Sequence, residues 1–188
     1  MDRLTPQRLD EILDRARTLR VAVVGDVMLD VYLEGSVTRI SPEAPVPVVS
    51  VESERVALGG AANVAANVVT LGADCDLLGY VGTDEPGARM RAALRDADGG
   101  ALRARLVERP DRPTTTKTRV MARKHHVIRF DRERADDLPE DCVDELCALV
   151  RESVAGADAL VLEDYNKGVL VPAVIRTALA AAEEAGIP

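Results

Sequence analysis

The chain has 188 residues, 47% hydrophobic and 30% charged, with one Phe, three Tyr and no Trp; this suits one domain with a core of Val, Leu, Ile and Ala and excludes disordered and collagen-like classes. A formal net charge of -8 excludes a general binder of nucleic-acid backbones, which must neutralise many phosphates with Lys and Arg. No run of about 18 apolar residues occurs and the first residues lack a signal-peptide stretch, so the chain reads as cytoplasmic, with neither a membrane nor nucleic acid as partner.

In chain order, Thr5-Pro6 forms an N-cap and first-turn proline, after which Leu9, Ile12, Leu13, Ala16 and Leu19 fall on one helical face. The run Arg20-Val21-Ala22-Val23-Val24-Gly25-Asp26 then reads as a strand buried on both faces, ending on a Gly-Asp that opens onto a site. Apolar runs at 75–81 and 159–163 alternate with helical patterns near 61–71, 87–97, 140–154 and 172–185, which predicts an α/β fold with a mostly parallel sheet. Two segments break the alternation. Residues 31–54 carry Pro42, Pro45 and Pro47 and read as extended edge structure, and 114–131 reads as an antiparallel hairpin turning around Arg123-Lys124-His125. Such excursions serve as a lid, a dimerisation flap or a plain surface insertion. Cys75, Cys142 and Cys147 lack metal-type spacing and read as small buried thiols.

The densest chemistry is Gly59-Gly60-Ala61-Ala62-Asn63-Val64-Ala65-Ala66-Asn67, where two glycines precede an Ala-rich helix. Glycines allow close backbone approach and a helix N-terminus offers free N–H groups, although a tight turn looks the same. Neither a P-loop nor a G-x-G-x-x-G fingerprint occurs. Asp26 and Asp30, at and just past a strand end, are suited either to accepting hydrogen bonds from a ligand or to capping local backbone. Lysine occurs only at Lys117, Lys124 and Lys167 among 24 basic residues, which hints at local need for a compact charge. Lys117, Arg119 and Arg129 alternate onto one face of the expected hairpin, as an anion site or as a solvated edge. Asp164 and Lys167 follow the strand 159–163 at the sheet edge where ligands of open α/β sheets collect, with a turn or salt bridge as the plain alternative for Asp164. His125-His126 lie in the expected turn and receive no chemistry.

Gly59 to Ala65, followed by Gly72 and Gly82, resembles the N-terminal signature of the PfkB (ribokinase-type) carbohydrate kinases. Val24-Gly25-Asp26-Val27-Met28-Leu29-Asp30, Arg39-Ile40-Ser41-Pro42-Glu43-Ala44-Pro45-Val46-Pro47-Val48-Val49 and Asp164-Tyr165-Asn166-Lys167-Gly168 are similar to its heptose 7-phosphate kinase branch. The resemblance implies a ribokinase-like sandwich with a small β lid at about 31–54 and 114–131, and a homodimer through that lid. It implies transfer of the ATP γ-phosphate, with Mg, to the anomeric hydroxyl of D-glycero-β-D-manno-heptose 7-phosphate for ADP-heptose and lipopolysaccharide core synthesis. Asp26, Asp30, Gly59, Gly60 and Asn63 would cradle the sugar. Lys117, Arg119 and Arg129 would meet its phosphate, and Asp164 and Lys167 would stand on the phosphate-transfer and magnesium side. The family's second signature, a Gly-Ala-Gly-Asp-like loop carrying the catalytic base, does not occur in these residues, so the resemblance implies the N-terminal part of a kinase domain with little activity alone. A kinase for another sugar or nucleoside, or a non-catalytic sugar-binding or dimerisation module, is the alternative.

Overall fold

The computed structural model describes residues 5–123 and 125–188. Helix α1 (Pro6–Ala16) starts where Thr5 accepts the amide of Arg8, yet none of its residues is buried. Four strands form a parallel sheet in the order β5 (Leu102–Arg109), β4 (Asp74–Gly82), β1 (Arg20–Gly25) and β8 (Ala159–Glu163). Helices α2 (Ala61–Thr70) and α3 (Glu85–Asp98) cover one face, packing Ala61, Ala65, Met90 and Leu94 on Val23, Leu77 and Val81. Helices α4 (Glu140–Val154) and α5 (Pro172–Ala185) cover the other, where Leu146, Val150, Val174 and Ala178 meet Ala22, Val24 and Leu78. Burial on both faces is why β1 and β4 read as continuous apolar runs. Each such Val or Leu contributes roughly 1.5–3 kcal/mol.

Strand β5 is absent from the sequence-based reading. Its Leu102-Arg103-Ala104-Arg105 alternation places charges on an edge strand, and short polar-apolar runs of this kind are weak signals.

The two excursions form a second four-stranded sheet in the order β3 (Pro47–Gly60), β2 (Val27–Ile40), β6 (Thr116–Ala122) and β7 (His125–Arg132). Its strands run past the segment 31–54: β2 begins directly after β1 and β3 continues to the start of α2. The central pair β2 and β6 is parallel while both outer pairings are antiparallel. His125 and His126 belong to β7, opposite Ala122 and Met121, rather than to the turn. Lys124, placed in that turn by the sequence, lies outside the described residues. All three cysteines are buried and free, and burial pushes the Cys75 thiol up to about 12.

Asp84 caps α3 and ties it to the strand entering the second sheet. Its carboxylate accepts the Gly87 amide at 3.0 Å, the Thr114 amide at 3.1 Å and the Thr114 hydroxyl at 2.6 Å. Burial opposes its ionisation, but these donors outweigh burial and hold the carboxyl below its ordinary value of 3.8. The unfolded chain therefore takes up this proton first on acidification. The contribution is complete above the ordinary value and fades as pH falls through the lower native one. Asp84→Ala is expected to cost about 1–3 kcal/mol near neutral pH in urea unfolding. The gap from the parent chain should close in acid; an equal gap at acidic and neutral pH would contradict this account.

Candidate active site

Asp26 joins β1 to β2 and is only 1% exposed. Its backbone amide donates to the Glu163 carbonyl at 3.1 Å and its carbonyl accepts from Ala61, the first residue of α2, at 3.0 Å. Its carboxylate accepts the amides of Tyr165 at 2.8 Å, Lys167 at 3.1 Å and Val169 at 3.4 Å. Burial pushes the carboxyl above its ordinary range, and the three amides pull it back. Both oxygens of Asp26, expected from the resemblance to meet a sugar, are turned inward onto backbone donors in this structure, and the side chain organises the loop 164–169.

Asp30 projects from the polar face of the second sheet. It pairs with Arg119 Nη1 at 2.5 Å, and a Cβ at Gly59 would meet its Oδ2 at 3.1 Å. The close approach of β3 to β2 thus leaves the carboxylate room only because residue 59 has no side chain. At Gly60 the backbone takes φ of 55°, where other residues are strained, and a Cβ would lie 2.2 Å from the Asp26 carbonyl. Asn63, in the first turn of α2, is exposed and accepts the side-chain amide of Asn67 at 3.3 Å.

The register places Lys117 beside Asp30 and Asp131, and Arg119 beside Tyr32 and Arg129, so the sequence-predicted cations share one face with Asp30. That face is not a free basic surface. Lys117 Nζ meets Asp131 at 3.1 Å and Glu133 at 3.0 Å, and Arg129 meets Asp131 at 3.1 Å. Burial opposes the charge on Lys117, but both carboxylates outweigh it and hold the ammonium above its ordinary range. Lys167 Nζ reaches the other oxygen of Glu133 at 3.1 Å, so one carboxylate bridges the second sheet to the loop 164–169. Asp164 is exposed and accepts the amide of Asn166 at 2.7 Å, the turn geometry weighed against a catalytic role.

Sequence reasoning missed Tyr32, Arg55, Asp131, Glu133 and Arg112. The Arg55 guanidinium lies 3.7 Å and that of Arg119 5.3 Å from the Tyr32 ring centroid, completing a cation and aromatic row across the sheet. The alternation Arg129, Asp131, Glu133 carried a signal for the two carboxylates; a buried Arg112 had none. A groove of about 460 Å³ lies on the opposite, apolar face, between Leu29, Val31, Leu33, Phe130 and the start of α3, and none of the predicted site residues lines it.

A Gly-Gly turn entering a helix, beside a two-sheet arrangement with an ion pair across the gap, suits a small polar ligand held between the two sheets. The model of the pfkB family carbohydrate kinases matches residues 18–188. The chain belongs to this family. The bifunctional protein HldE of Caulobacter vibrioides is 52% identical over 168 residues, covering 89% of this chain and 34% of that protein. HldE of Azorhizobium caulinodans is 48% identical over 170 residues, covering 89% and 35%. The chain thus spans about a third of the length of these relatives. Among solved structures, a carbohydrate kinase from Agrobacterium tumefaciens superposes with a TM-score of 0.66 at 22% identity, over 91% of this chain and 52% of that one. The tetrameric inhibited form of phosphofructokinase-2 from Escherichia coli gives 0.65 at 22%, over 90% and 52%. The fold is the α/β fold of these kinases, with a second sheet beside the mostly parallel one.

The Gly60 conformation gives a direct check. Gly60→Ala is expected to cost at least about 2 kcal/mol in denaturant unfolding, through strain and the clash with the Asp26 carbonyl. Gly59→Ala, which meets only the Asp30 side chain and Met28, should cost less; the reverse order would show that the turn is not the constraint.

Proposed function

We propose that the chain is the sugar-binding part of a kinase that phosphorylates the anomeric hydroxyl of a heptose 7-phosphate, D-glycero-β-D-manno-heptose 7-phosphate, for ADP-heptose and lipopolysaccharide core synthesis. The observation that carries the reading is the Asp30–Arg119 pair, which sets a hydroxyl acceptor directly against a cation on a face that continues into Lys117 and Arg129. The similarity to HldE supports it. In this reading Asp30 accepts from sugar hydroxyls and Gly59 admits the ring beside it. Asn63 supplies an amide at the α2 terminus, and the sugar phosphate draws donors of Lys117 and Arg129 away from Asp131 and Glu133, and of Arg119 away from Asp30. Charge-assisted hydrogen bonds to phosphate are strong enough to compete with such partly exposed pairs.

ATP with magnesium supplies the phosphoryl group and offsets its charge when bound. Lys167 fits that role, because its ammonium is held at the sheet edge with only Glu133 as its ion-pair partner among the described residues. Asp164 fits the periphery of a hydrated magnesium, since it is exposed and its only hydrogen bond among the described residues is local. Among the described residues no group of three or more His, Cys, Asp or Glu could hold a metal directly. The base for the acceptor hydroxyl would come from outside these residues, leaving the 188-residue chain with little activity alone.

Calorimetric titration of the chain with heptose 7-phosphate, free heptose and ATP-Mg tests the reading. The phosphorylated sugar should bind at least about tenfold more tightly than the free one, from one or two charge-assisted bonds. Arg119→Met should shrink that preference, and Asp30→Asn should weaken both sugars. No sugar binding by a folded chain would overturn the reading, whereas equal binding would favour a kinase for an unphosphorylated sugar or a nucleoside.

We also propose that the lid's apolar face joins two copies of the chain. Ile128 is 57% and Phe130 53% exposed on the face that carries Leu33 and Val120. Light scattering should give a dimer mass, and replacing Ile128 and Phe130 with Lys should give a monomer; a monomeric parent chain would refute the interface. No helix among the described residues is long and apolar enough to cross a membrane.

A further inference from the structure

Lys167 is held from two sides by buried side chains of opposite charge. Its amide donates to the Asp26 carboxylate at 3.1 Å, and its carbonyl accepts Arg112 Nη2 at 3.0 Å. Asp26 is 1% and Arg112 5% exposed. Gly168 follows with φ of 82°, and a Cβ there would lie 2.2 Å from the Asp136 carbonyl and 3.0 Å from Arg112 Nη2. The peptide after Lys167 is therefore wedged between Arg112 and the segment 134–137.

The same guanidinium binds that segment. Arg112 donates to the carbonyls of Arg134 and Asp137, each at 3.3 Å, to the carbonyl of Asp136, and to the Asp136 carboxylate at 3.3 Å. Arg134 is the neighbour of Glu133, the carboxylate that receives Lys167 Nζ at 3.1 Å and Lys117 Nζ at 3.0 Å. One buried cation thus fixes the backbone on both sides of the Lys167–Glu133 pair. Its planar fork reaches four carbonyls, which an ammonium could not do. Among the described residues its Nε finds no partner and its carboxylate partner is half exposed, so as a purely stabilising device this is a poor arrangement.

We propose that Asp26 and Arg112 are positioning residues: together they clamp the Lys167 peptide and the exit of β7, and so aim the Lys167 ammonium at the gap between sheet and lid. Neither touches the ligand. The clamp itself rests on geometry alone; its bearing on phosphate binding rests on the function proposed above.

The test compares Asp26→Asn, Arg112→Gln and Arg112→Lys with Lys167→Met in the 188-residue chain. Amide hydrogen exchange is followed residue by residue by NMR, with the Lys167 ε-methylene shift as a signature of its ion pair. In the Asp26 and Arg112 variants, exchange at Lys167 should accelerate at least about tenfold while the amides of β1 and β4 keep their rates, as for a local opening. The ε-methylene resonance should move toward that of a free lysine. Lys167→Met should leave exchange at residue 167 unchanged. In calorimetry with heptose 7-phosphate, the Asp26 and Arg112 variants should lose affinity by about the same factor as Lys167→Met, and adding Lys167→Met to either should cost little more, as expected for residues acting through one group. Unchanged exchange at Lys167, or acceleration shared equally by β1 and β4, would overturn the clamp. If the parent chain binds no sugar phosphate, the proposed function fails, but exchange and the ε-methylene shift still decide the clamp.

Discussion

The buried carboxylate at residue 26 is the constraint from which the site follows. Strand β1 ends one residue earlier, β2 starts one residue later, and α2 and the loop after β8 both hydrogen-bond to this single residue. A carboxylate in this position pays for its desolvation only if its donors are fixed, so the loop that supplies the donors is fixed as well. The chain leaves one sheet and enters the next at a point where its backbone and side chain are both committed. Lys167 inherits its position from that commitment, and Asp30, four residues on in β2, inherits its facing from the alternation that begins there.

The polar face of the second sheet follows a second rule, that partly buried charges are balanced. Lys117, Arg119, Arg129 and Lys167 stand among Asp30, Asp131 and Glu133, and carboxylates of Asp131 and Glu133 are held below their ordinary range by the lysines they contact. A site of this kind presents an anion with cations that are already oriented, but whose pairing must be exchanged rather than simply gained. That favours a doubly charged phosphate over weaker anions, since only a dense charge repays the displaced carboxylates.

Much of this was legible beforehand, for identifiable reasons. The doubly buried strands β1 and β4 and the helices α2, α4 and α5 follow from apolar runs and helical periodicity, and the Gly59-Gly60 turn from its composition. The alternation of Lys117, Arg119 and Arg129 correctly placed them on one face. What sequence did not carry was pairing across distance. The partner of Arg119 is 89 residues away, and those of the Asp26 carboxylate are 139, 141 and 143 residues away, so nothing local distinguishes a ligand carboxylate from a structural one. Asp26 and Asp30 look alike in Gly25-Asp26-Val27-Met28-Leu29-Asp30; burial alone separates them. Edge strand β5, half charged, gave too weak a period, and Arg112 sits in a Pro-flanked turn where a buried guanidinium has no signature.

The parallel pairing of β2 with β6 at the centre of the second sheet has a consequence for how the chain acquires this sheet. Leu29 to Gly35 lie against Thr116 to Ala122, so closing the middle of the sheet loops out the residues between them, including α2, β4, α3 and β5. The outer pairs β2–β3 and β6–β7 join strands that are neighbours in sequence and close short loops. The central pairing, like that of β1 with β8 in the other sheet, is the non-local contact whose loop-closure entropy must be met before the two hairpins become one sheet.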